Sequence, residues 1–168
     1  MQKITRYALM LLSALCFFLL FLIQSVDILT VTPLHATPLL LLPFLVTFSM
    51  YREELTAALA GLAVGILMDS ISVGSLGFHT VFFFLVGFSV SFILHFYFNN
   101  NLQSALLLSI LCSLIYYLAR WLIFFLLRGR LEDGSFYLFR VALPSLIYTN
   151  LFTVPFFFFQ RAFSQKVR

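Results

Sequence analysis

The chain has few charged residues and no long hydrophilic segment. Only 10% of its 168 residues are charged, whereas 62% are hydrophobic, and the mean hydropathy is +1.07. The longest hydrophilic stretch, residues 128–140, is too short to fold into an independent catalytic or nucleotide-binding module. A soluble domain needs far more polar surface than this. We therefore predict an all-α integral membrane protein with a single transmembrane domain over residues 1–168.

Cysteines and basic clusters are also scarce. Cys16 and Cys112 each lie inside an apolar stretch, which excludes a disulfide framework, and no zinc-ligand spacing is present. The basic residues lie near the ends of apolar stretches rather than in a patch, so we expect no nucleic-acid partner. No H-E-x-x-H, P-loop or G-x-G-x-x-G motif occurs, and we expect neither a cofactor nor a bound metal.

Six apolar stretches fill almost the whole chain and predict a compact six-helix transmembrane bundle. They cover residues 7–23, 38–51, 55–71, 78–98, 102–127 and 141–159. The second stretch is short, and its start is open between Val31 and Pro38. Prolines recur every five residues there (Pro33, Pro38 and Pro43), which predicts either a kinked span or a partly re-entrant one. The fifth exceeds the ~20 residues that cross a bilayer, so it should tilt or protrude. Pro155 predicts a kink in the last span.

The positions of lysine and arginine predict the orientation. With the N-terminus inside, six basic residues lie on the inner side (Lys3, Arg6, Arg52, Arg161, Lys166, Arg168) and three on the outer side (Arg128, Arg130, Arg140). Cytoplasmic loops carry the excess of basic residues. We therefore expect both termini to be cytoplasmic.

Small residues recur on one face of the third span. Ala57, Gly61 and Gly65 are spaced four apart, so they share a helix face and allow a second helix to approach closely. Two interpretations are open, which are packing inside the bundle and an interface with a partner protein.

Three of the polar residues in or near the spans are candidate site residues. Asp69 is either a cap at headgroup depth or a polar anchor inside the bundle. Arg120 is either a snorkelling interfacial anchor beside Trp121 or the partner of Asp69 in an ion pair that fixes the third span against the fifth. Asn150, midway along the last span, either forms hydrogen bonds across helices or lines a polar cavity.

Signals for catalysis are weak. Ser75 and His79 are four residues apart, but no third orienting group is evident and no G-x-S-x-G motif occurs. An intramembrane hydrolase built on these two residues is the enzymatic alternative. We expect that the protein is not an enzyme.

Residues 61–69 (GLAVGILMD), followed by Leu76-Gly77-Phe78-His79 and then Leu85-Val86-Gly87, resemble the MreD family of bacterial rod shape-determining membrane proteins. The positions that match the family pattern are Gly61, Gly65, Asp69, Gly77 and His79. The resemblance implies a bundle similar to the S components of energy-coupling-factor transporters, with a central cavity.

The same resemblance implies a function. It suggests a non-enzymatic inner-membrane subunit of the bacterial cell-elongation complex, in contact with membrane lipids. Its partner would be MreC, and through MreC the protein would help couple MreB filaments to RodA and a penicillin-binding transpeptidase. The alternative is a vitamin-binding S component of a transporter. This alternative is disfavoured because the first span lacks the Ala-x-x-x-Ala face on which such proteins dock a coupling subunit.

Overall fold

The computed structural model describes residues 2–26, 38–72, 77–96, 100–123 and 138–165, and within these ranges the chain is helical with no strand. The helices are α1 (Gln2–Ser25), α2 (Leu41–Ser49), α3 (Glu54–Ile71), α4 (Phe78–Phe96), α5 (Leu102–Trp121), α6 (Leu143–Leu151) and α7 (Thr153–Gln165). A π-helical turn, Leu138–Ala142, leads into α6.

Four segments of the described chain are long and apolar enough to cross a membrane. They are Glu54–Ile71, Phe78–Phe96, Leu102–Trp121 and the composite segment Arg140–Ser164, while Leu12–Ser25 is a shorter apolar part of α1. The prediction of an all-α multi-pass membrane bundle is confirmed.

The fifth and last spans show how far the predicted helices extend and where they break. The α-helical part of α5 ends at Trp121 and a π-helical turn continues to Ile123, so the predicted end at residue 127 lies outside the described residues. In the last span, where the kink is predicted, the α-helix is interrupted at Phe152 between α6 and α7, three residues before Pro155. Pro155 lacks the N–H that would bind the Leu151 carbonyl, and its ring crowds that carbonyl.

Helix α2 fills the middle of the described bundle. All nine of its residues are buried, and it packs against α1, α3, α4, α5, α6 and α7. Its sequence, LLPFLVTFS, is apolar on every face, as expected for a helix surrounded by protein. The ring of Phe44 makes edge-to-face contacts with Phe17 at 4.7 Å and with Phe156 at 5.3 Å. The middle of the bundle, where the family resemblance implies a cavity, is therefore packed with α2 side chains.

The N-terminus of α2 is buried, so its backbone N–H groups need protein acceptors. The Leu39 N–H donates to Oγ1 of Thr149 at 2.9 Å, and the Leu41 N–H donates to Oε1 of Gln24 at 3.3 Å. Pro43, the third helical residue, has no N–H to satisfy. Two distant helices thus cap a helix that lacks a side-chain cap of its own.

Helix α2 connects the two ends of the bundle. Gln24, which binds the start of α2, also donates to the Met68 sulfur in the last turn of α3. The other end of α2 leads through Tyr51 and Arg52 to a cleft that contains Asn101 and Ser164. Helix α2 has nine residues, fewer than the ~20 that cross a bilayer, so the choice between a kinked span and a partly re-entrant one stays a prediction.

We name the two ends of the bundle by their charged residues. The Asp69 end holds the C-terminal ends of α1, α3 and α5 and the start of α4, and the Arg52 end holds the α2–α3 turn, the start of α5 and the C-terminal end of α7. Helix α1 runs parallel to α3, so its N-terminal end also lies at the Arg52 end. The first and last helices thus begin and end on the same side, as the predicted alternation of spans requires.

Candidate functional site

Glycines bring the backbones of α3 and α4 into direct contact. A Cβ atom on Gly61 would lie 2.1 Å from the Phe83 carbonyl oxygen, and one on Gly65 would lie 2.4 Å from the Cα of Thr80. From the opposite side, a Cβ on Gly87 would lie 2.3 Å from the Ala57 carbonyl oxygen. No side chain larger than hydrogen fits at these three positions. The face formed by Ala57, Gly61 and Gly65 is therefore occupied by α4 and packs inside the bundle.

Asp69 caps the next helix at the end of this contact. Gly77 enters α4 with a φ of +82°, a left-handed conformation that glycine adopts without strain. Oδ1 of Asp69 accepts the N–H of His79 at 3.3 Å, and Oδ2 accepts both the N–H of Thr80 at 2.9 Å and its hydroxyl at 2.6 Å. A carboxylate here also complements the positive end of the α4 dipole. Asp69 is thus an anchor between α3 and α4.

A chain of hydrogen bonds, which we call the Asp69 network, extends from this cap to α5. Nδ1 of His79 lies 2.9 Å from Oδ1 of Asp69, and Nε2 of His79 lies 3.1 Å from the Tyr116 hydroxyl. Because a carboxylate only accepts, Nδ1 carries the proton, and in the neutral ring Nε2 accepts the hydroxyl proton. Nη1 of Arg120 donates to the same hydroxyl oxygen at 3.3 Å. The network therefore joins three helices at the Asp69 end.

The two members of the predicted ion pair are linked through this network. His79 and Tyr116 are buried, with exposed fractions of 3% and 1%, and they connect Asp69 on α3 to Arg120 in the last turn of α5. The direct ion pair between Asp69 and Arg120 stays a prediction. The coupling of α3 to α5, for which the ion pair was expected, is provided by these two intervening side chains.

The geometry of His79 favours a structural role over a catalytic one. A general base needs a free nitrogen within reach of a substrate proton. Nε2 of His79 is instead buried against Tyr116. Ser75, the proposed nucleophile, lies outside the described residues. Asp69 is the group that orients His79, which was not evident from the sequence, although the short connection between α3 and α4 was a signal for it.

Asn150 belongs to a second polar contact, between the last span and α5. Its Nδ2 donates to the Ser113 hydroxyl at 2.9 Å and to the Leu146 carbonyl at 2.8 Å. One turn further, the hydroxyls of Ser109 and Thr153 lie 2.9 Å apart. These buried groups form hydrogen bonds across helices, which is the first of the two interpretations of Asn150.

Titratable side chains do not gather into a metal site in the described part of the chain. No group of three His, Cys, Asp or Glu residues with suitable geometry is found there, and Cys16 and Cys112 are free thiols.

Tyr116 is a site residue that sequence reasoning missed, because nothing distinguishes it in the sequence from the adjacent Tyr117.

A family model described as "rod shape-determining protein MreD" matches residues 5–167. No curated protein and no solved structure matches the chain. The family match covers nearly the whole sequence, and it includes the glycine contact and the capping aspartate on which the resemblance was based. The chain belongs to the MreD family of rod shape-determining membrane proteins.

Proposed function

We propose that this rod shape-determining protein acts as a non-enzymatic inner-membrane subunit of the cell-elongation complex. It binds MreC and thereby helps couple MreB filaments to peptidoglycan synthesis by RodA and a penicillin-binding transpeptidase. The observation that carries this proposal is the family match over residues 5–167. Both termini are cytoplasmic in this proposal, because Arg52 and Arg161, two of the six basic residues predicted for the inner side, line the cleft at the Arg52 end.

The structure supports a binding role, because its buried polar groups are engaged in contacts between helices and its outer surface is left for partners. The buried polar side chains described above, in the Asp69 network and at Asn150, hold helices to one another. What the bundle offers to other molecules is its outer helix faces and its two ends. A partner such as MreC, with one transmembrane helix, can contact such a face along its whole length.

Co-purification tests the proposal. The tagged protein and MreC from the same organism are co-expressed, solubilised in a mild detergent and purified through the tag. We expect MreC to co-elute at a fixed ratio. A photo-crosslinking residue placed in turn at exposed positions of α4 and α5, such as Phe88 and Leu111, should then mark one contiguous face. Failure of MreC to co-elute with folded protein contradicts the proposal.

Depletion in a rod-shaped host gives the cellular test. Cells should become round as the protein is lost, and expression of the wild-type chain should restore rods. Normal rods after clean deletion would count against the proposed role.

The transporter alternative predicts uptake of a radiolabelled vitamin that depends on this chain. We expect no such uptake, because α2 fills the middle of the bundle.

A further inference from the structure

A polar cleft of about 570 Å³ opens at the Arg52 end of the bundle. It is bounded by the α2–α3 turn, the C-terminal end of α4, the start of α5 and the C-terminal end of α7. Its lining includes Tyr51, Arg52, Glu53, Asn101, Arg161 and Ser164. Neither the Asp69 network nor the glycine contact involves this cleft.

The charge in the cleft favours an anion. Arg52 and Arg161 both line it, and the guanidinium of Arg52 lies 5.3 Å from the centroid of the Phe48 ring, against which it is held. The opposing carboxylate in the lining is Glu53. His95 also lines the cleft, and its Nδ1 lies 3.9 Å from Oε1 of Glu54. Among the described residues that line the cleft, the two guanidinium groups outnumber the one carboxylate.

Hydrogen-bond donors converge on the same cleft. The N-cap residues of α3 and α5, Glu53 and Asn101, both line it, and neither makes a side-chain capping bond. First-turn N–H groups and the positive ends of two helix dipoles therefore face this region. The Tyr51 hydroxyl is buried and has no hydrogen-bond partner among the described atoms. A phosphate offers several acceptor oxygens and a negative charge, which suit these donors.

We propose that this cleft binds the phosphate of an acidic phospholipid headgroup. Arg52 and Arg161 pair with the phosphate oxygens, and the Tyr51 hydroxyl and the α5 N-terminus donate to them. The location selects a lipid as the source of the phosphate, because the cleft lies where the transmembrane helices end, at the depth of the headgroups. Basic pockets between transmembrane helices on the cytoplasmic side bind anionic headgroups in this way.

Lipid titration of the purified full-length chain tests the proposal. The chain in a non-ionic detergent is titrated with dioctanoyl phosphatidylglycerol, and the Kd is measured by thermophoresis. Dioctanoyl phosphatidylcholine, sodium phosphate and a glutamate-rich peptide are titrated in parallel. We expect binding of phosphatidylglycerol to be saturable and clearly tighter than that of the other three.

Substitutions of cleft residues test whether phosphatidylglycerol binds in the cleft itself. Arg161→Gln should weaken phosphatidylglycerol binding roughly fivefold, the effect of one basic residue at an anionic surface. Arg161→Lys should restore most of the affinity. Ser164→Trp should obstruct the cleft without a change of charge. Arg140→Gln is the matched control, because it removes one arginine at the Asp69 end and should leave the Kd unchanged.

Each alternative outcome overturns the lipid assignment. Equal affinity for sodium phosphate would identify a site for free phosphate. Tight binding of the acidic peptide without binding of phosphatidylglycerol would identify a site for a protein segment. Equal loss in Arg161→Gln and Arg140→Gln would indicate attraction by net charge alone. Arg161 is exposed, so its variants should fold, and the thermal unfolding of each lipid-free variant verifies this.

Discussion

Replacement of Gly61 by alanine should push α4 away from α3. The new Cβ would lie 2.1 Å from the Phe83 carbonyl oxygen, whereas ordinary contact begins at 3.4 Å. Helix α4 must therefore retreat by about 1.3 Å at this point, the difference between the two distances. The obstacle is backbone, so no side-chain rotation relieves it. The movement would also loosen the contact at Gly65 and the hydrogen bonds of Asp69, which lie along the same two helices.

Two opposing effects determine how much Gly61→Ala changes the free energy of unfolding. Alanine is a better helix former than glycine by about 1 kcal/mol, which favours the variant. Overpacking of a close-packed contact costs about 1–3 kcal/mol, and a clash with backbone lies at the upper end of that range. We therefore expect Gly61→Ala to be destabilised by roughly 1–2 kcal/mol, and Gly61→Leu by more.

Equilibrium unfolding by SDS in mixed micelles, followed by circular dichroism, measures this difference. Ala63→Leu is the control, since it adds the same kind of bulk to an exposed position of the same helix and should change stability by less than about 0.5 kcal/mol. If Gly61→Ala proved as stable as the wild type or more so, the gain in helix propensity would match or exceed the cost of overpacking. The close contact of α3 with α4 would then be refuted.

Three further predictions follow from the same structure. Thr149→Val removes the acceptor for the buried Leu39 N–H, just before α2, and should cost about 1–3 kcal/mol in the same unfolding assay. An unchanged stability would show that the Leu39 N–H has another acceptor. The charge-swapped double variant Asp69→Arg with Arg120→Asp should be no more stable than either single variant, because arginine accepts no hydrogen bond from the α4 backbone. Recovery would instead support a direct ion pair. In a cysteine-free background, Gln2→Cys and Ser164→Cys should react with a membrane-impermeant thiol reagent from the same side of the membrane, and reaction from opposite sides would contradict the count of crossings.

Local sequence pattern was enough to predict most of the helices. Spans at 55–71 and 78–98 agree with α3 and α4 within two residues, because long apolar runs between polar turns leave few alternatives in lipid. The spacing of Gly61 and Gly65 predicted a close helix contact but not its partner. The pairing of Asp69 with His79 was open to inference from the short connection between α3 and α4, whereas charge alone suggested Arg120 as one candidate partner of Asp69.

Composition and periodicity, which act locally, determined that this chain is a helical membrane protein, where its helices lie and which faces carry small residues. Only the tertiary structure decided that α2 lies at the centre and is capped by Thr149 and Gln24. It alone connected Asp69 to Tyr116 through His79 and gathered Arg52 and Arg161 around one cleft. The physical reason is that such contacts join residues far apart in the chain. Which helix meets which is decided by the packing of the whole bundle, and no local pattern contains that information.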